Sequence, residues 1–224
     1  MHGTPATART QHTLGTAPLR QNRRVTTPTT FALIRHGQTD WNAQIRIQGS
    51  TDIPLNAIGR GQATDAESAL SPHAWDFVVS SPLSRAAETA DIIAFDLDLA
   101  VTERLPQLVE RDYGPAEGLT AGPELDALRI LDGGFGGFRG AESEEAVTAR
   151  GLAALRDLAR TWPGARIVVV AHGTLIRLCL SEALGRAIPS IDNAALTLVH
   201  LTPATPSAAD AWTLEILNGE LVPA

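Results

Sequence analysis

The sequence contains no lysine, and its 18 basic residues are all arginine. Schiff-base chemistry and a phosphate-binding P-loop both depend on a lysine amine, so both are excluded. Any anion must then be held by arginine. With a single cysteine, Cys179, an internal disulfide and a four-cysteine zinc site are out of reach, and a reducing compartment suits the chain. No apolar run approaches the ~18 residues of a membrane span, and the N-terminus lacks the apolar stretch of a secretory signal. The expectation is a cytoplasmic enzyme that does not engage a membrane.

Acids outnumber bases, giving a net charge of −7. The first thirty residues carry Arg9, Arg20, Arg23 and Arg24 and no acid, so the remainder holds 14 arginines against 25 acids. Such a surface argues against nucleic acid as a partner. It also makes an arginine cluster in a pocket a local exception to the protein's field, suited to an anionic substrate. Residues 1–29, rich in Thr, Ala, Pro and Arg without apolar periodicity, read as a disordered tail. Residues 30–224 read as one domain, with apolar content sufficient for a sizeable core.

Beyond the tail, short apolar runs at 31–34, 77–79 and 167–171 each lead through a turn into an amphipathic stretch. That rhythm predicts an α/β fold: a three-layer α/β/α sandwich with a mostly parallel central sheet. Residues 144–162 place Val147, Leu152, Leu155, Leu158, Ala159 and Trp162 near one face at helical spacing, with Ser143 as N-cap and Gly164 as stop. Residues 195–201 and 212–217 are too close together for a helical crossover and form an antiparallel edge. The interval 114–140 is irregular, with a short helix at 124–131 followed by the glycine-rich DGGFGGFRG, and is placed to cover a pocket.

The three strong strands end in polar signatures. Arg35-His36-Gly37 follows the first, Ser80-Ser81-Pro82-Leu83-Ser84-Arg85 the second and His172-Gly173-Thr174 the third. Ligands of open parallel sheets sit outside the carboxyl ends of the strands, so two histidines and two arginines converge on one crevice. Gly37 and Gly173 let the backbone approach an anion and aim helix N-terminal amides at it. Guanidinium groups match phosphoryl oxygens, so Arg35 and Arg85 suit a transferring phosphoryl group, and no metal or other cofactor is expected. A neutral histidine held through one ring nitrogen attacks phosphorus through the other, which makes His36 the candidate nucleophile. Glu110, in LVERDYG, is the candidate proton donor to the leaving group, with Asp112 as the fallback. His2, His12, His73 and His200 fall outside this pattern, while Trp41, Phe135, Phe138 and Arg139 either line the leaving-group pocket or pack the core or a lid.

The blocks LIRHGQTDWN, IQGSTDIPLNAIGRGQA, SSPLSRAAETA, LVERDYGPAEGLT, GAESEEAVTAR and VVAHGTLIR resemble, in order over about 31–185, the histidine phosphatase superfamily, whose members are phosphoglycerate mutase-like. The resemblance implies that His36 becomes phosphohistidine, that Arg35, Arg85 and His172 form the phosphate pocket, and that Glu110 donates the proton. It also implies that Asn42 and Gln48 contact phosphate or substrate and that Thr39 supports the pocket.

The superfamily includes mutases and phosphatases, so the motifs alone do not choose between them. The 61 residues between Glu110 and His172 are fewer than in mutase-like members, which insert a longer basic stretch there. The resemblance therefore favours the phosphatase branch, which includes sugar-phosphate, α-ribazole and glucosyl-3-phosphoglycerate phosphatases. The expected function is a metal-independent phosphomonoesterase of the histidine acid type acting on a small phosphorylated metabolite, either a sugar phosphate or a phosphoglycerate-like ester. The alternatives are a phosphoglycerate-type phosphomutase and a catalytically inactive module that binds phosphorylated ligands. A homodimer through the late edge strands is a further expectation, since unpaired edges invite pairing.

Overall fold

The computed structural model describes residues 27–130, 137–204 and 209–223. Its centre is a seven-stranded sheet in the order β3-β2-β4-β1-β5-β6-β7. The strands are β1 (Thr29–Arg35), β2 (Phe77–Ser80), β3 (Val101–Arg104), β4 (Arg166–Ala171), β5 (Leu196–Thr202), β6 (Ala211–Leu217) and β7 (Glu220–Leu221). Strands β1 to β4 run parallel, whereas β5, β6 and β7 pair antiparallel. The predicted parallel centre and antiparallel edge are both present.

The apolar runs of β1 and β4 are continuous because both of their faces are covered. Side chains of a strand alternate between faces. Phe31, Leu33, Ile167 and Val169 therefore join one buried cluster, while Ala32, Ile34, Val168 and Val170 join another. The first cluster packs against α5 (Glu144–Thr161) and α6 (Gly173–Leu184), and the second against α2 (Ala57–Leu70) and α3 (Ser84–Asp96). Those two helical layers and the sheet make the three-layer sandwich. The short helices α1 (Asp40–Ala43) and α4 (Pro123–Leu128) lie in the connections that follow β1 and β3, and no described helix is long and apolar enough to cross a membrane.

Several boundaries differ from the sequence reading. β1 begins at Thr29, inside the stretch read as tail: Thr29 is fully buried, pairs with Leu201 and accepts the Gly164 amide on its hydroxyl. Residues 1–26 lie outside the described residues, as does Phe135. α5 starts where expected, with the Ser143 hydroxyl accepting the Ala146 amide at 3.1 Å, and ends at Thr161, one residue early. α4 stops at Leu128 instead of reaching 131, because Arg129 turns extended and pairs with Phe138. The late edge continues past β6 into the two-residue β7.

Candidate active site

The ends of β1, β2 and β4 meet on one rim and bring His36, Arg85 and His172 together, with the His36 and His172 rings 5.2 Å apart. His36 is almost wholly buried. Its Nδ1 lies 2.7 Å from the carbonyl oxygen of Gly37, which can only accept, so the proton sits on Nδ1 and Nε2 keeps its lone pair. Nε2 in turn accepts from Arg85 Nε at 3.2 Å. Burial, then the charges of Arg85 and Arg35, hold the imidazole well below its usual pKa, so the ring is neutral near pH 7.

Arg85 sits in the first turn of α3 and is fully buried. Its Nη2 donates to the Gly49 carbonyl at 2.7 Å and its Nη1 to the Thr51 carbonyl at 2.9 Å. Burial lowers its pKa to about 10, which leaves it charged at neutral pH. A cation opposes the helix dipole here, and Asp52 offsets this by accepting the Ser84 amide and hydroxyl, both at 2.7 Å. Arg35 donates through Nη1 to the Ile191 carbonyl at 2.7 Å, and its buried Nε has no partner among the described residues.

His172 is fully buried, with Nε2 2.8 Å from the Ser81 hydroxyl. That hydroxyl accepts the Leu83 amide, so its own proton is available for His172 Nε2. The resulting tautomer carries its hydrogen on Nδ1, a buried donor without a partner among the described residues. Burial, then Arg85 and His36, keep this ring neutral as well.

Glu110 takes a position the sequence did not disclose. Its Oε2 accepts the Thr174 amide at 2.9 Å, and its Oε1 accepts the amides of Leu175 at 3.0 Å and Arg111 at 2.8 Å. The carboxylate therefore caps α6, the helix that Gly173 opens. Arg35, Asn42, Gln48, Glu110, Tyr113 and Thr174 line one cavity of about 230 Å3, together with Arg46, Ile47, Arg129 and Phe138. Asp112 is exposed and accepts the Gly114 amide, so Glu110 is the acid that faces the cavity.

Thr39 caps α1 in a reciprocal arrangement with Asn42, and its hydroxyl donates to Gln48 Oε1 at 2.6 Å. Gly37 permits a backbone crossing: a Cβ there would stand 2.2 Å from the Gly59 carbonyl oxygen. At Gly173 a Cβ would press on Arg35 at 3.3 Å, so that glycine leaves room for the guanidinium. Of the residues considered for the leaving-group pocket, Phe138 lines the cavity, whereas Trp41 lies over Gly118 and Arg139 is exposed. His73 and His200 lie elsewhere, and His200 joins Thr30 to Glu215 across the sheet edge.

Other participants escaped the sequence reading. Asn193 Nδ2 donates to the His36 carbonyl at 2.9 Å, and the Ala194 amide to the Arg35 carbonyl at 2.9 Å, so the loop before β5 braces the RHG turn. Ser81 and Thr174 lie within the matched blocks, but only the fold shows which groups they meet. Among the described residues no group of three or more His, Cys, Asp and Glu side chains is arranged to hold a metal ion.

The chain is 40% identical over 157 residues to the uncharacterized phosphatase PhoE of Bacillus subtilis, covering 70% of this chain and 78% of that protein. It is 31% identical over 205 residues to the probable phosphoglycerate mutase GpmB of an Enterobacter species, covering 82% and 90%. The structure of a mycobacterial glucosyl-3-phosphoglycerate phosphatase superposes with a TM-score of 0.73 at 28% identity, over 85% of this chain and 99% of that one. The profile of the histidine phosphatase superfamily, branch 1, matches residues 31–218, and the chain belongs to that family.

Proposed function

We propose that this histidine phosphatase hydrolyses small phosphate monoesters through a phosphohistidine on His36, without a metal ion. The observation that carries the reading is the state of His36: a neutral ring, its Nδ1 proton committed to Gly37, and its Nε2 lone pair beside the Arg85 guanidinium. The Arg85 Nε–H passes from His36 Nε2 to a phosphoryl oxygen, Nε2 attacks phosphorus, the ester P–O bond breaks, and the departing alkoxide takes the proton of the acid form of Glu110. Water then gives a proton back to Glu110 and attacks the phosphohistidine. The P–N bond breaks and inorganic phosphate leaves. Arg35 and Arg85 neutralise the phosphoryl oxygens, and the Nδ1–H of His172 donates a hydrogen bond to one of them. Asn42 and Gln48 contact the substrate, Thr39 steadies them, Gly173 leaves room for the Arg35 guanidinium, and Gly37 lets the turn that carries His36 pass the Gly59 backbone.

The leaving group enters the cavity shared by Glu110 and Tyr113, where Arg46 and Arg129 add two cations to the lining. In an acidic protein such a pair favours a second anionic group on the substrate. The similar mycobacterial enzyme is named for a phosphoglycerate derivative, which carries a carboxylate. The substrate is therefore a small phosphorylated metabolite of the phosphoglycerate-like kind. A cytoplasmic setting is part of this reading, and it accords with Cys179, a buried thiol whose pKa burial raises to about 12.

Similarity to GpmB supports a second reading, a phosphomutase that returns the phosphoryl group to a hydroxyl of the bound product. Inorganic phosphate release from a panel of esters, with EDTA present, separates the two. Wild type is expected to release phosphate and His36→Ala to release none. No release from any ester by wild type would transfer the assignment to the mutase or to a binding module. Turnover surviving in His36→Ala would mean that another group is the nucleophile.

A further inference from the structure

Resting on the reading of Arg85 as a phosphoryl-binding group, we propose that Glu117 is a positioning residue: it holds the 49–51 loop so that the loop's carbonyls aim the Arg85 guanidinium. Glu117 is half-buried, and its two oxygens receive five hydrogen bonds. Oε1 accepts the Ser50 amide at 2.8 Å, the Ser50 hydroxyl at 3.2 Å and the Tyr113 amide at 3.0 Å. Oε2 accepts the Thr51 amide at 2.7 Å and the Thr51 hydroxyl. Burial disfavours its charge, but the hydrogen bonds from Thr51, Tyr113 and Ser50 outweigh it and lower its pKa.

The same loop serves two charges. Its amides at Ser50 and Thr51 bond to Glu117, while its carbonyls at Gly49 and Thr51 bond to Arg85 Nη2 and Nη1. Gly49 fits because it has no side chain: a Cβ there would stand 2.3 Å from Glu117 Oε1 and 2.4 Å from the Arg111 carbonyl. With both terminal nitrogens fixed, Arg85 Nε falls 3.2 Å from His36 Nε2.

This arrangement resolves a conflict between burial and binding. A buried arginine needs negative charge nearby, yet a carboxylate clamped on its fork would occupy the donors meant for phosphate. Glu110, Asp52 and then Glu117 supply that charge, and Glu117 does so from the far side of a peptide loop. Each terminal nitrogen of Arg85 spends one N–H on a carbonyl and keeps the other.

The test is a double-mutant cycle of Glu117→Gln and Arg85→Lys, read as inorganic phosphate affinity by calorimetry and as kcat and KM for ester hydrolysis. Glutamine keeps the size but turns an NH2 toward amide and hydroxyl donors. With Arg85 in place, the expectation is a loss of roughly tenfold in phosphate affinity and roughly 10- to 100-fold in kcat/KM, mostly in kcat. In the Arg85→Lys background the same change should cost less than about twofold, because one ammonium cannot span both carbonyls.

Equal losses in both backgrounds would show a general structural role and overturn the proposal, as would unchanged phosphate affinity in Glu117→Gln. Should that variant fail to fold, Thr51→Val, which removes one donor from Glu117, is expected to weaken phosphate binding about two- to threefold, and no change would overturn the proposal equally. Wild type that binds phosphate but hydrolyses no ester sinks the hydrolase reading and leaves the Glu117 cycle intact. Wild type that binds no phosphate sinks both.

Discussion

His36 donates its Nδ1 proton to the carbonyl of its own chain neighbour, Gly37, at 2.7 Å, so the nitrogen facing Arg85 is the unprotonated one. The tautomer is thus set by local backbone geometry. Burial and two arginines then keep the ring neutral.

A pH dependence of stability follows. His36 and His172 both have pKa values lowered in the fold, so the unfolded chain binds their protons first. Their neutral folded forms carry no penalty above the unfolded value of about 6.5. Stability is lost as pH falls from there toward the depressed folded values, by up to about 1.4 kcal/mol per pH unit for each ring. Glu117 and Glu142, with lowered pKa values, add their loss only below the ordinary carboxyl range near 4.5. Chemical denaturation at intervals from pH 7 to 5 is expected to show this slope, and His172→Asn to flatten it. A flat profile in wild type would contradict the burial of neutral histidines.

Two glycine substitutions are expected to act in opposite directions. Gly37→Ala would force a Cβ to within 2.2 Å of the Gly59 carbonyl oxygen, a backbone atom that cannot swing aside, whereas a Cβ at exposed Gly61 in α2 meets nothing among the described residues. Overpacking of this kind costs about 1–3 kcal/mol or more, and the displaced RHG turn should lower kcat/KM as well. Gly61→Ala should stabilise by about 0.5–1 kcal/mol through helix propensity and leave kinetics unchanged. Urea midpoints and kcat/KM for the pair check both halves.

The residues that were legible in the sequence are those whose chemistry is announced locally. RHG, SSPLSR and HGT stand at strand ends, and a parallel sheet gathers strand ends on one rim, so His36, Arg85 and His172 follow from pattern and topology together. The partners were not legible, because they come from other parts of the chain. Glu117 reaches Ser50 across 67 positions, Asn193 reaches His36 across 157, and Glu110 reaches Leu175 across 65. Nothing in LVERDYG says that Glu110 caps a helix 64 residues on. The edges were obscure for a different reason. β3 is largely exposed and β7 has only two residues, so neither carries an apolar run.

Arg150 should control where Glu110 sits. From α5 its guanidinium takes Glu142 bidentately at 2.9 and 3.0 Å, then reaches the carbonyls of Gln107 at 2.8 Å, Val109, and Glu110 at 3.2 Å. A lysine cannot reproduce that fork. Arg150→Lys is expected to lower kcat about tenfold with a smaller effect on KM, since the proton donor shifts while the phosphate pocket stays. Arg150→Met, which leaves Glu142 without its partner, should also destabilise by about 2–4 kcal/mol. Steady-state kinetics and thermal melting of both variants separate the two effects, and an unchanged kcat in Arg150→Lys would remove Arg150 from any role at Glu110.

The cavity lining makes a prediction about selectivity. Arg129 lies beside Phe138, its guanidinium carbon 5.6 Å from the ring centroid, and gives its Nε to Asp126 at 3.0 Å, while its terminal nitrogens have no hydrogen-bond partner among the described residues. Arg46 holds the Gly118 carbonyl through Nη1 at 3.4 Å, a contact weak enough to yield to an anion. A carboxylated ester such as 3-phosphoglycerate should therefore lose affinity when either arginine becomes glutamine, with KM rising roughly 3- to 10-fold, as expected for an exposed ion pair of about 1 kcal/mol. An aryl phosphate, whose leaving group carries no charge, should show little change in KM, because it engages the phosphate pocket alone. Added salt should erode the preference for the carboxylated ester in wild type and leave the aryl ester nearly unaffected. If both esters lose equally in Arg46→Gln and Arg129→Gln, the two residues support the cavity wall rather than reading a second charge.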